Sequence, residues 1–284
     1  SLVDSIGFAG YGFSDRDINE VIDLSSRGPT CIGDQVDESD DNNDSLVGAI
    51  VEVSEARLTN ALISYTLGVA FGRWDVRLAT GQRPIPPLPD DPFAPLPRYS
   101  PGMLTDRAIL DGEVGPSEYP VAISTNGILV DDPESPDDIV HKVREVFEAI
   151  WGERADEIES EACEILGVEG LGEYFRNPRQ FFDYHIKQYS MSRRKAPIYW
   201  LLQSPRRSYG LWIYYHCLYK DTLFKALAMY IEPKIRLEQT RLDEMRVERI
   251  AAGTGGSEVK RLERAIDQHE TMMSDLHAFR DQLS

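Results

Sequence analysis

The chain has 284 residues, a formal net charge of −18, and 42% hydrophobic residues, of which aromatics make up 10% of the chain. That is enough apolar material for one large domain or two modest ones, and no apolar run is long enough to cross a membrane as a helix. Cys31, Cys163 and Cys217 lie far apart and match neither a metal-ligand spacing nor a disulfide framework, which fits a reducing, cytoplasmic setting.

The first residues lack the basic and apolar regions of a secretory signal. The missing initiator Met is what a processed chain or a piece of a longer one would show. Residues 14–24 read as a short helix capped at Ser14. Residues 33–45 hold six acidic residues and no basic one, a solvated loop without the spacing of a calcium-binding EF-hand. Residues 46–72 carry the clearest helical periodicity, with Leu58, Leu62, Tyr65 and Val69 on one face and Ser54 as N-cap. Eight prolines within 81–101 predict an extended strap across a surface.

Residues 119–130 read as one or two short strands. A helix should follow, capped at Ser135 with Pro136 in its first position and Asp137 and Asp138 in its first turn. A second helix is expected over 153–166, ended by Gly167, and a third over 169–190, bringing Phe175, Phe181, Phe182 and Tyr184 to a core. Two short apolar runs, 198–202 and 209–215, form a β-hairpin around a turn. Helices over 219–250 and from about 257 to the end, separated by the glycine-rich 253–257, form an antiparallel pair of coiled-coil character. The fold class expected is α+β, mainly helical: a small antiparallel sheet with a basic hairpin, plus a long C-terminal antiparallel helical hairpin. Three parts are expected: an acidic 1–132, a DNA-recognition-like 133–218 and a helical hairpin over 219–284.

No catalytic constellation is legible, and no metal ligand set. The histidines (141, 185, 216, 269 and 277) share no spacing with other ligands, and glycine-rich phosphate loops and nucleophile elbows are absent. Gly167, Gly170 and Gly172 are turn glycines. His216 reads as a packed residue rather than part of a site. Asn177-Pro178 begins like the Asn-Pro-Pro-aromatic motif of DNA amino-methyltransferases, but Arg179 replaces the second proline.

The charge is unevenly spread. Residues 173–284 hold 19 Lys+Arg against 14 Asp+Glu, a net of +5, which leaves −23 on 1–172. Arg193, Arg194, Lys195, Arg206 and Arg207 flank the two hairpin strands with no acid between them, and they would repel one another without a polyanion or acidic surface nearby. Duplex DNA is the partner this predicts, with the five cations on phosphates and one arginine reaching a guanine edge. Tyr199, Trp200 and Tyr209 would support or wedge at that surface. Alternation along the second strand sets Leu211, Ile213 and Tyr215 against Trp212 and Tyr214, so each aromatic taken singly reads first as core, one face on the sheet core and the other under a helix. The alternative partner is another protein, with the basic patch docked on an acidic face such as the −23 half supplies.

The blocks RRKAPIYWLLQS (193–204), GLWIYYH (210–216) and KDTLFKAL (220–227) resemble the C-terminal region of large adenine-specific DNA methyltransferases, both the BREX-type phage-defence methylases and the related single-chain restriction–modification methylases. ALISYTLGVAFGRW (61–74), NGILVDD (126–132), DDIVHKVREVFEAIWG (137–152) and YFRNPRQFFDYHIKQY (174–189) follow the same resemblance. It implies target recognition rather than methyl transfer. The S-adenosylmethionine site and the catalytic domain would then lie elsewhere, fused upstream or as a separate subunit.

Overall fold

The computed structural model describes residues 54–85, 99–115, 117–191, 194–195, 197–253 and 255–284, with backbone alone for 190, 191, 194 and 195. The helix expected at 14–24, the acidic loop at 33–45 and most of the proline strap lie outside these residues.

Ser54 caps the first helix, α1 (Glu55–Ala70), its Oγ accepting the Arg57 N–H at 3.3 Å. The expected apolar face is wider than one stripe: every residue from Leu62 to Ala70 is buried, so α1 runs through the interior. Helix α2 (Ile139–Trp151) begins later than expected. Its cap is Asp138, whose Oδ2 accepts the His141 N–H at 2.9 Å and whose Oδ1 accepts the Asp132 N–H at 3.0 Å. Ser135 only closes a turn, through the Asp137 N–H at 3.2 Å. A carboxylate reaching two donors displaces the hydroxyl as cap. α3 (Ala155–Leu166) ends on Gly167 in the left-handed conformation.

The expected single helix over 169–190 is two, α4 (Leu171–Arg176) and α5 (Phe181–Gln188). Pro178 disfavours helical geometry at the residue before it, and Asn177 takes up extended backbone. Towards the C-terminus, one helical turn (Thr222–Lys225) leads into a π-turn (Ala226–Ile231) and then α6 (Glu232–Ala251), followed by α7 (Ser257–Leu283). Pro233 cannot donate to the carbonyl four residues back, and the wider turn before it gives its ring room.

The strands are β1 (Ile128–Val130), a short ribbon of β2 (Ser190–Met191) and β3 (Arg194–Lys195), and the hairpin β4 (Tyr199–Gln203) and β5 (Gly210–Tyr214). β5 is central and antiparallel to both neighbours, with Leu129 and Leu201 opposite Trp212, and Val130 and Leu202 opposite Leu211. Cross-strand partners share a face, so the sheet has two apolar faces. Leu129, Tyr199, Trp212 and Tyr214 join a core with α1, α2, α4 and α5. Ile128, Val130, Tyr209 and Leu211 join a second core with Tyr230, Ile235, Met273, Leu276 and Phe279 of the C-terminal helices. Trp212 is fully buried, with the rings of Phe175, Phe181 and Phe182 set edge-on to it at 6.0, 5.5 and 5.9 Å.

The α6–α7 pair is tied to the exit of β1 by charge. Lys234 Nζ lies 3.0 Å from Asp132 and 2.8 Å from the buried Glu238, which also meets Arg241 at 3.0 Å and His269 at 2.9 Å. Burial works against the charge on Lys234, but the Glu238 and Asp132 carboxylates prevail and hold its pKa above the usual range. Among the described residues no helix is long and apolar enough to cross a membrane.

Gly68 marks the tightest packing on α1. A Cβ there would stand 2.3 Å from Trp74 Cδ1, with Trp74 Nε1 at 2.7 Å and the Tyr199 hydroxyl at 3.0 Å. Ala for Gly usually helps a helix, but here Gly68→Ala is expected to destabilise the protein by about 1–3 kcal/mol in urea unfolding. An unchanged or raised midpoint would mean that Trp74 simply swings aside.

Candidate nucleic-acid interface

The sequence presents five cations as one patch, and the fold divides them. Arg206 and Arg207 sit on the tip joining β4 to β5, whereas Arg194 and Lys195 form β3, before the other end of β4. At ~3.3 Å per residue, the intervening strand separates the two groups by roughly 15 Å. Arg193 lies outside the described residues, and of Arg194 and Lys195 only the backbone is described.

The aromatics divide in the same way. Tyr199 is 0% exposed, stacked on Phe71 at 5.3 Å with the rings 13° from parallel. Tyr209 is 3% exposed and belongs to the second core. Burial pushes both phenols well above their ordinary pKa. Neither side chain reaches the surface, so the expectation that Tyr199 and Tyr209 wedge at DNA does not hold: each faces a covered side of the sheet. Trp200, on the edge strand, is 41% exposed.

Two other cations near the hairpin already have partners. Arg176 is held in a two-pronged pair by the buried Asp131, at 2.5 and 2.7 Å. Lys187 meets Asp183 at 2.7 Å. Gln203 Nε2 donates to the Arg176 carbonyl at 2.7 Å, tying the end of α4 to the tip end of β4. Arg206 and Arg207 are exposed, and neither side chain has an ion-pair or hydrogen-bond partner among the described residues.

A residue far along the chain shapes the tip. Asp275, on α7 and 3% exposed, accepts the Ser204 hydroxyl at 2.5 Å, the Ser208 hydroxyl at 2.6 Å, the Arg206 N–H at 2.8 Å and the Ser208 N–H at 3.3 Å. Burial opposes its charge, yet the two hydroxyls and two amides outweigh that and hold the carboxyl below its ordinary pKa. Ser204 also accepts the Tyr209 N–H on its hydroxyl at 3.1 Å and the Arg207 N–H on its carbonyl at 2.8 Å. Arg207 has φ 60, a left-handed backbone that costs a residue with a side chain roughly 1 kcal/mol relative to glycine. The tip is a rigid turn presenting two guanidiniums. Sequence reading missed Asp275; the one available signal was an acid between Met273 and Leu276, on the buried side of an amphipathic helix.

The base of the hairpin hangs on His185, which sequence reading treated only as lacking a metal spacing. Its Nε2 accepts the N–H groups of Ile198 at 2.9 Å and Tyr199 at 3.0 Å, so the proton of the neutral ring is assigned to Nδ1. Burial, with the Arg73 guanidinium second, lowers its pKa from 6.5 to about 4. Among the described residues no group of three or more His, Cys, Asp or Glu side chains could hold a metal ion.

No family model matches the chain. It is similar to the adenine-specific methyltransferase BrxX of Escherichia coli O9:H4 (strain HS), 28% identical over 171 residues, covering 55% of this chain and 13% of that protein. The chain thus spans about an eighth of the length of the curated relative it matches, and the relation is to part of a methyltransferase.

Asp275→Ala would leave four donors at the tip without their carboxylate, and it is expected to destabilise the protein by about 2–4 kcal/mol in urea unfolding. Loss of less than about 0.5 kcal/mol would show that water replaces the carboxylate without cost. His185 gives a pH dependence of known sign. The unfolded ring takes up a proton near pH 6.5, while the folded ring resists until about pH 4. Stability from this group is therefore present above pH 6.5 and lost as pH falls towards 4, by roughly 3 kcal/mol in all. Urea unfolding between pH 7 and pH 4.5 should show a smaller loss in His185→Gln than in the parent protein; equal losses would mean that the carboxylates alone set the acid limb.

Proposed function

We propose that this chain is a DNA-recognition module, the C-terminal part of a site-specific adenine-N6 DNA methyltransferase in a restriction–modification or phage-defence system. The observation that carries the proposal is the Arg206–Arg207 tip. Two adjacent exposed guanidiniums without partners, on a turn stapled from beneath, form a preorganised anion contact. Residues 173–284, which hold the tip, are net +5 in a chain of net −18, a polarity that favours presenting this part to a phosphate backbone. The similarity to an adenine-specific methyltransferase supports a place in such a system. Methyl transfer and S-adenosylmethionine binding would fall to a catalytic part, fused upstream or separate. Arg194 and Lys195 would add phosphate contacts from the other end of β4, with Trp200 beside them.

A second reading has its own support. Tyr215, Leu218, Tyr219, Leu223, Phe224 and Met229 are all at least 43% exposed along one continuous segment after β5, a composition suited to protein contact. In that reading the module holds another part of the methyltransferase system and does not touch DNA.

Duplex binding by the parent protein should be weak and salt-dependent. Replacing Arg206 and Arg207 with Glu is expected to weaken it roughly tenfold or more at about 50 mM salt and to flatten the salt slope by about two. Unchanged salt-sensitive binding would sink the assignment of the tip. Concentration-dependent assembly on size exclusion, without retention of DNA, would instead support the protein-contact reading.

A further inference from the structure

Among the described residues, positive φ occurs at nine glycines and at one residue with a side chain, Arg207. Everywhere else that the backbone turns left-handed, the chain uses the residue for which that turn costs least. The fold gives no reason for the exception. The Arg207 N–H closes the turn onto the Ser204 carbonyl at 2.8 Å, as a glycine N–H would, and its side chain touches no partner among the described residues. An arginine at a backbone conformation that favours glycine carries a cost that no contact within the described fold offsets, which points to a contact outside it.

The surroundings narrow what that is. The tip joins β4 to β5 of the three-stranded sheet, with the Asp131 N–H on the Gly210 carbonyl beside it, and it contains Ser204, Pro205 and Ser208. Two carboxylates near it are both occupied: Asp275 is buried under four donors and Asp131 is buried and paired with Arg176, so neither is turned towards a ligand. In the major groove of DNA, arginine reads the O6 and N7 edge of guanine through two parallel hydrogen bonds. We propose that the β4–β5 tip enters the major groove of duplex DNA and that Arg207 makes the guanine-edge contact, with Arg206 on a neighbouring phosphate. This rests on the DNA reading above and adds to it the groove and the residue that reads the base.

Arg207→Gly separates the two demands on this position. It removes the side chain and relieves the backbone, so the variant should unfold at a higher urea concentration than the parent. On a mixed-sequence duplex, the parent should shield a subset of guanine N7 atoms from dimethyl sulfate. The variant should lose that shielding and bind at least about fivefold more weakly. A variant that is more stable but keeps the parent's affinity and N7 pattern overturns the inference, as does a bound parent protein that shields no N7. A variant less stable than the parent overturns the argument from backbone cost. A parent protein that binds no duplex at any salt removes the DNA reading itself, and this inference with it.

Discussion

A three-stranded sheet with apolar side chains on both faces has to be covered twice, and that requirement organises this protein. Trp212 and Leu211 are neighbours on β5, yet they point into different cores. The first is closed by α1, α2, α4 and α5; the second needs the C-terminal helices, which arrive after the sheet is complete. Large apolar residues on both sides of a strand cannot stay in water without forfeiting the transfer free energy of each, so neither layer can be dispensed with.

The covering helices do more than exclude water. α7 brings Asp275 under the β4–β5 tip, and α6 brings Lys234 and Glu238 to the exit of β1. Both are buried charges with several partners, the condition under which burial of a charge is tolerated. On the opposite face, His185 of α5 grips the first residues of β4 through two amides. The hairpin is thus held at its base by one layer and at its tip by the other. Among the described residues around the hairpin, the Arg206 and Arg207 side chains, the edge-strand Trp200 and the apolar segment that follows β5 stay exposed.

The contrast among the cations has a simple electrostatic origin. Arg176 lies beside a buried aspartate that needs its charge, so the pair is structural. Arg206 lends its backbone N–H to Asp275, not its side chain. The same turn therefore satisfies the buried carboxylate and leaves the guanidiniums unspent.

Much of the architecture was legible from local pattern. Period-two alternation over 209–215 announced a strand with two apolar faces, helical periodicity announced α1 and the C-terminal pair, and Gly167 announced the end of α3, because these signals depend only on neighbouring residues. Cap choice was less legible: Ser135 and Asp138 are both good caps, and only the position of β1 gives Asp138 its second donor. The site was legible as composition but not as geometry. Arg194 and Lys195 became a separate group from Arg206 and Arg207 because an extended strand carries its ends apart. Tyr199 and Tyr209 could be read either as core or as surface aromatics until both faces of the sheet were covered. Asp275 could not be connected to Ser204 across 71 positions, since sequence carries face and period but not which distant face will meet it. The residue types came from the sequence; which of them stayed in contact with water was decided by the second layer of helices.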